Sequence, residues 1–179
     1  MRLARYAILG AVTGALVAAC VSYLRLGDSP GSLVPKAFYL YPGLIFGLAF
    51  GILFWAEGRL KPVGAIAFAL AATVSNALAV VAWTTTDEPI ASLLGAEETA
   101  DLMFAVTGGI AGAVGGGLLG YGAKHLLKVA GWPRLLAAGA GLGLLLPLVQ
   151  SKAGFYAFYI LWQAGFAATM ATIVALKRA

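Results

Sequence analysis

Charge is missing from six long stretches of this chain. No residue is charged between Arg5 and Arg25, Lys36 and Glu57, Lys61 and Asp87, Asp101 and Lys124, Arg134 and Lys152, or Lys152 and Lys177. Each stretch is apolar on every face and close to the ~20 residues that a helix needs to cross a bilayer. Transmembrane strands would instead alternate apolar and polar residues over ~10-residue segments. The sequence therefore predicts an all-α fold, a compact bundle of six transmembrane helices at about 6–24, 38–56, 62–83, 102–121, 133–149 and 155–176. Short loops join them in a single domain over residues 1–179. Composition points the same way, with 61% hydrophobic and only 11% charged residues, against about 25% charged in soluble domains. So few charges cannot cover a water-facing surface, and the lipid bilayer is the expected partner.

The charges that do occur are sorted. With six spans, Arg2, Arg5, Arg59, Lys61, Lys124, Lys128, Arg134, Lys177 and Arg178 fall on one side, and only Arg25, Lys36 and Lys152 on the other. Basic residues are retained on the cytoplasmic side, so a bacterial-type inner membrane with both termini cytoplasmic is expected. The net charge of +5 is then a matter of orientation, and no nucleic-acid partner is expected. Five acids, Asp87, Glu88, Glu97, Glu98 and Asp101, gather in the third loop on the opposite side. Pro89, just after Asp87 and Glu88, reads as the start of a short surface helix, because proline and acids both suit a first turn.

Glycine is the second pattern. Gly115, Gly117 and Gly120 match the G-x-G-x-x-G of a dinucleotide loop. That motif must follow a strand, open a helix and be followed by an acid ~20 residues on. Here it lies inside an apolar span, and no Asp or Glu occurs after Asp101. The spacing that matters is four: Gly108, Gly112, Gly116 and Gly120 form one bare stripe, and Gly43, Gly47 and Gly51 another, with shorter versions at Gly10/Gly14 and Gly139/Gly143. In lipid, helices associate through close van der Waals contact, which small residues permit; the stripes predict glycine-zipper packing, within the chain or between subunits. AVTG occurs at 11–14 and again at 105–108, and the same offset lays the second and third spans on the fifth and sixth. That spacing admits a 3+3 inverted repeat, an arrangement common in transporters.

Chemistry is sparse. One His and one Cys, with no acid beyond Asp101, cannot assemble a catalytic triad or a metal site, so no enzyme, cofactor or metal is expected. Cys20 follows an apolar run that continues to Leu24, and it reads as a small packing residue of the first helix. The buried polar groups are uncharged amides and hydroxyls. Asn76 and Gln163 both fall ~12 Å below the outer interface at 1.5 Å rise per residue. An amide in hydrocarbon needs partners, so both are expected to face the interior, hydrogen-bonded to each other or lining an outward-facing pocket with Ser75, Trp162, Thr107 and Tyr41.

Size, six spans and a small-residue first helix are similar to the substrate-binding subunit of energy-coupling-factor vitamin transporters. The resemblance implies that Ala11, Ala15 and Ala19 correspond to a face that docks a partner subunit. The sequence thus predicts a protein that binds or transports a small solute, as part of a larger transporter or alone. The alternatives are a non-catalytic accessory or assembly subunit, which would dock other membrane proteins, and a self-associating homo-oligomeric pore.

Overall fold

The computed structural model describes residues 2–24, 39–94 and 100–176. They form six α-helices: α1 (Arg2–Leu24), α2 (Tyr41–Ala56), α3 (Pro62–Leu94), α4 (Ala100–Leu127), α5 (Trp132–Gly143) and α6 (Lys152–Leu176), with a 3₁₀ turn at Leu146–Gln150 between the last two. Each helix packs beside its neighbour in the chain, and α6 returns to pack along α1, so the principal contacts form a closed ring. Four helices, α1, α3, α4 and α6, are long and apolar enough to cross a membrane. The outer surface of the ring is apolar as well, with Val63 at 77%, Ile8 at 64% and Ile66 at 61% exposed. Contiguous apolar exteriors of this kind belong to proteins solvated by lipid or by other proteins.

The remaining two helices are shorter than the sequence led one to expect. The start expected at residue 38 lies outside the described residues; α2 begins at Tyr41, with Pro42 in its first turn. It ends where Gly58 takes φ +68, a left-handed backbone that lets Arg59 and Leu60 N–H both return to the Phe54 carbonyl. Its 16 residues rise ~24 Å. The span expected over 133–149 is not one helix: α5 stops at Gly143, after 12 residues. Pro147 accounts for the stop, since its ring lacks the N–H that would bond the Gly143 carbonyl and would clash with it. The chain tightens there into the 3₁₀ turn.

Pro89 has the opposite outcome. It does not open a new helix; α3 runs straight through it to Leu94. The carbonyl freed by Pro89 belongs to Thr85, which is exposed and can be met by water. Below it, the Thr85 and Thr86 hydroxyls donate back to the Val81 and Ala82 carbonyls. The 33 residues of α3 rise ~50 Å, well beyond a ~30 Å hydrocarbon core, so its acidic last turns project past the apolar part of the bundle.

Every neighbouring pair whose glycine contacts can be followed runs antiparallel, and three pairs touch backbone to backbone. In α4 and α5, a methyl group at Gly112 would collide with the Gly139 carbonyl and one at Gly139 with that of Gly112; Gly108 and Gly143 oppose each other in the same way, and Gly116 and Gly120 face Leu135 and Trp132. Gly43, Gly47 and Gly51 of α2 lie against Ala72, Ala69 and Ala65 of α3, while Gly10 and Gly14 of α1 lie against Gln163 and Tyr159 of α6. The glycines of the apparent dinucleotide motif are part of this packing, with Gly115 against Ala79 and Gly117 against Leu136. The two halves do not pair alike. α2 meets α3 through three glycines, whereas α5 meets α6 mainly through side chains, with Leu142 over Gly165 and Phe166 over Gly139, so the pairing does not follow a 3+3 repeat.

The antiparallel order gathers the basic Arg5, Arg59, Lys61, Lys124 and Arg134 at one end of the bundle and Asp87, Glu88 and Asp101 at the other. Arg25, Lys36, Glu97, Glu98, Lys177 and Arg178 lie outside the described residues. Aromatic residues fill the ring toward the basic end, with Phe54 edge-on to Phe68 at 5.2 Å and Phe46 stacked on Phe50 at 4.5 Å. Aromatic pairs in such geometries contribute ~0.5–1.5 kcal/mol beyond their buried area.

The glycine contacts have a direct test. Gly112→Ala is expected to cost about 1–3 kcal/mol through overpacking, whereas Gly141, beside which nothing lies within 4 Å, is expected to accept alanine with a gain of up to ~1 kcal/mol in helix propensity. Thermal unfolding of the two variants in one detergent reads both signs; equal melting temperatures would remove the close-contact account.

Candidate functional site

Asn76 and Gln163 are buried, at 6% and 2% exposure. Each lies midway along a long apolar helix, Asn76 in α3 and Gln163 in α6. Their partners are backbone carbonyls at the start of α2. Asn76 Nδ2 donates to the Tyr39 carbonyl at 2.7 Å, and Gln163 Nε2 donates to that of Pro42 at 3.4 Å. No direct bond joins the two amides among the described hydrogen bonds. Both instead hold the entry of α2, one from α3 and one from α6.

Their remaining polar atoms differ. The Oε1 of Gln163 is buried and meets no donor. Turning the amide over would set that oxygen against the Pro42 carbonyl, acceptor against acceptor, so Nε2 is the atom committed to Pro42. An unmet acceptor at this depth costs ~1–3 kcal/mol.

Gln163 lines a chamber of about 30 Å³ together with Asn76, Ser75, Phe46, Trp162 and Phe166. Directly toward the acidic end lies a second chamber of about 70 Å³, whose walls include Trp83, Gly108, Leu146, Phe158 and Tyr159. Asn76 and Trp162 belong to both. Trp162 stands between them with its ring stacked on Phe158 at 6.0 Å and edge-on to Phe166 at 5.3 Å. Neither chamber has a charged side chain in its walls. Roughly 10–15 Å³ suffices for one water, so each chamber admits only a few heavy atoms. Pockets for drug-sized ligands start at about 300 Å³.

Of the residues expected around the amides, Ser75 and Trp162 line the first chamber. The Ser75 hydroxyl is spent on the Ala71 carbonyl at 2.7 Å. Thr107 is fully buried, but its hydroxyl returns to the carbonyls of Met103 and Phe104 and it lines neither chamber. Tyr41 is half-buried and also lies outside both walls. Trp83, Phe158, Tyr159, Phe46 and Phe166 are the aromatic lining residues that sequence reasoning passed over. Helical spacing carried the signal: Trp83 is seven residues from Asn76, and Tyr159 and Phe166 are four and three from Gln163, each on the same helix face.

The basic end has a polar cluster of its own. Glu57, which caps α2, accepts hydrogen bonds at Oε2 from the Tyr6 hydroxyl at 2.9 Å and from Arg59 Nε at 3.0 Å, with Arg5 3.9 Å from its other oxygen. Burial alone would raise its pKa, but the bonds from Arg59 and Tyr6 and the charges of Arg59 and Arg5 together outweigh burial and hold the carboxyl below the ordinary value. The cluster ties α1 to α2 at a contact that has no glycine stripe. Along α1, Ala11 and Ala15 are half-buried and Ala19 is exposed. Among the described residues, no group of three or more His, Cys, Asp or Glu could hold a metal.

No protein-family model matches the chain, and no curated protein or solved structure is similar enough to be matched to it.

A carboxyl with a lowered native pKa adds stability that is complete above its unfolded value of 4.5 and fades as pH falls through the lower native value. Glu57→Gln is therefore expected to be less stable than the parent at neutral pH and to lose less on acidification through this window. Melting temperatures recorded from pH 7 to pH 3 measure the difference, and parallel curves for the two proteins would count against the cluster.

Proposed function

We propose that this chain is an integral membrane protein that binds a small solute in the two chambers between α3, α4 and α6 and passes it across or along the membrane. The observation that carries the proposal is Gln163, which lines a chamber and whose buried Oε1 meets no donor. A purely structural glutamine in a hydrophobic interior would be expected to meet all of its hydrogen-bonding needs, and here one is left for a guest. The solute enters from the acidic end, where the larger chamber lies. Under the positive-inside rule the basic end is cytoplasmic, which places both termini in the cytoplasm and the entrance on the outer face of a bacterial-type inner membrane.

Intramembrane ionisable groups mark proton relays and ion pathways, and the chamber walls hold none; movement of the solute is thus uncoupled to protons within this chain, which acts without catalysis. In lipid the glycine contacts act as zippers that keep three helix pairs rigid. They are occupied inside the chain, which weighs against the accessory-subunit and homo-oligomeric-pore readings, since both would spend such stripes on neighbours. The lipid-facing apolar surface remains available to a transporter partner.

The experiment is solute entry into proteoliposomes holding the full chain, followed by stopped-flow light scattering with a panel of small neutral solutes. At least one solute is expected to enter faster than into protein-free vesicles, and Gln163→Ala and Asn76→Ala are expected to slow it at least tenfold while the protein stays folded by circular dichroism. If no solute gains and the variants only lower the melting temperature, the amides are structural and the proposal fails.

A further inference from the structure

The basic end treats its cations differently on its two sides. Beside α1 and α2, Arg5 and Arg59 face the carboxylate of Glu57. Where α4 turns into α5, Lys124, Lys128 and Arg134 are exposed, and among the described residues none of them has an ion-pair partner. Lys124 lies in the last turn of α4 and Lys128 directly follows that helix. Arg134 lies in the first turn of α5, and its Cδ would stand 3.8 Å from a β-carbon on Gly131, so the side chain reaches back over the same connection. Two of these cations sit at a local cost. Lys128 has φ 53, a left-handed backbone that suits glycine and not a residue with a β-carbon. Arg134 places its charge at the positive end of the α5 dipole. Helix stability accounts for neither.

The surface next to the cations changes in a fixed order. Tyr121 and Trp132 are exposed rings beside the connection, with Tyr121 edge-on to His125 at 4.5 Å and the Trp132 backbone against Gly120. Further toward the acidic end, Leu118 and Ile110 continue the exposed face of α4, and Leu136 and Leu144 that of α5. Leu136 lies over Gly117 and Leu144 over Gly109, so the two faces adjoin. We infer that the α4–α5 connection binds the phosphate of an anionic phospholipid, whose acyl chains lie along these adjoining faces. The inference rests on the membrane reading above and on neither the chambers nor the solute. Ammonium and guanidinium groups form charge-assisted hydrogen bonds to phosphate oxygens, and each basic residue near an anionic membrane surface is worth about fivefold in affinity. A zwitterionic lipid also has a phosphate, but it brings an ammonium group that unpaired cations repel. Tyrosine and tryptophan favour the depth of the headgroups. A free phosphate ester would meet the cations alone and leave the rings and aliphatic faces unused.

Native mass spectrometry of the full chain in detergent, with equal amounts of phosphatidylglycerol and phosphatidylcholine of identical acyl chains, reads the preference. Phosphatidylglycerol is expected to be retained about tenfold or more over phosphatidylcholine. The combined Lys124→Gln, Lys128→Gln and Arg134→Gln variant is expected to remove the preference and leave phosphatidylcholine binding unchanged. Lys61→Gln, which removes a charge from the same end outside the site, is expected to keep it. Lys128→Gly separates binding from folding: it relieves the left-handed backbone, so the melting temperature is expected to rise while the preference falls about fivefold. Glycerophosphoglycerol, the headgroup without its chains, is expected not to compete. Equal retention of the two lipids, a preference that survives the combined variant or Lys128→Gly, or one that is lost with Lys61→Gln would overturn the inference. Displacement by glycerophosphoglycerol would overturn it too, by marking a site for soluble phosphate esters. Solute entry into vesicles is a separate measurement, so this inference and the solute reading fail independently; a chain that stays soluble without detergent would end both.

Discussion

The contact on which this bundle depends is backbone against backbone. Where Gly112 meets Gly139 and Gly108 meets Gly143, two helices come closer than any side chain larger than hydrogen would allow. In the lipid solvent proposed for this chain there is little hydrophobic force to press helices together, so the attraction would come from dispersion contacts, which fall away steeply with separation. Glycine has its usual cost in helix propensity and gives in return the shortest interaxial distance available. Three helix pairs are built this way, and the ring is closed by pairs that are not. α5 meets α6, and α1 meets α2, through Leu142, Phe166, Tyr6 and Phe50, and side chains of that size hold helices further apart. The chambers open where α6 faces α3 and α4 across the ring. Tight pairs and a loosely filled centre are two results of one distribution of small and large residues.

The buried amides follow from the same geometry. Asn76 and Gln163 reach the Tyr39 carbonyl, just before α2, and the Pro42 carbonyl, in its first turn, because that helix starts inside the ring, with Pro42 fully buried. A helix start normally leaves N–H groups seeking partners, while its early carbonyls have their intrahelical bond and a second lone pair to spare. The amide N–H groups take up those lone pairs. This arrangement anchors α2 to α3 and α6 at a depth where water is scarce, and it leaves the acceptor half of Gln163 uncommitted.

How far this could be read from the sequence depended on how local each determinant is. The charge-free stretches identify six helices because charge in hydrocarbon is costly along the whole length of a segment. The four-residue glycine period identifies the bare faces of α2 and α4. It cannot name what lies against them, since the partner is a tertiary fact: α4 could have met α3 or α5, and the stripe at 108–120 meets α5. Prolines misled in two directions for one reason. Whether a proline ends a helix turns on the carbonyl four residues earlier. Gly143 is buried, with its carbonyl packed against Gly108 out of reach of water, and α5 ends there; Thr85 is exposed, and α3 continues. The amides were legible as interior groups, but their carbonyl partners lie 37 and 121 residues away, beyond what spacing can convey. Trp83 lines a chamber only because the ring of helices turns it inward.

One pairing has a consequence in time. Gly10 and Gly14 of the first helix are covered by Gln163, Tyr159 and Ile160 of the last. At ~5–20 residues per second of synthesis, roughly 150 residues separate the emergence of the two faces by about 10–30 s. Through that interval α1 has only its looser contact with α2, and its bare stripe is open to any other apolar helix. The helix α6 both covers the glycine face of α1 and lines the two chambers, so neither chamber is complete until α6 has been made.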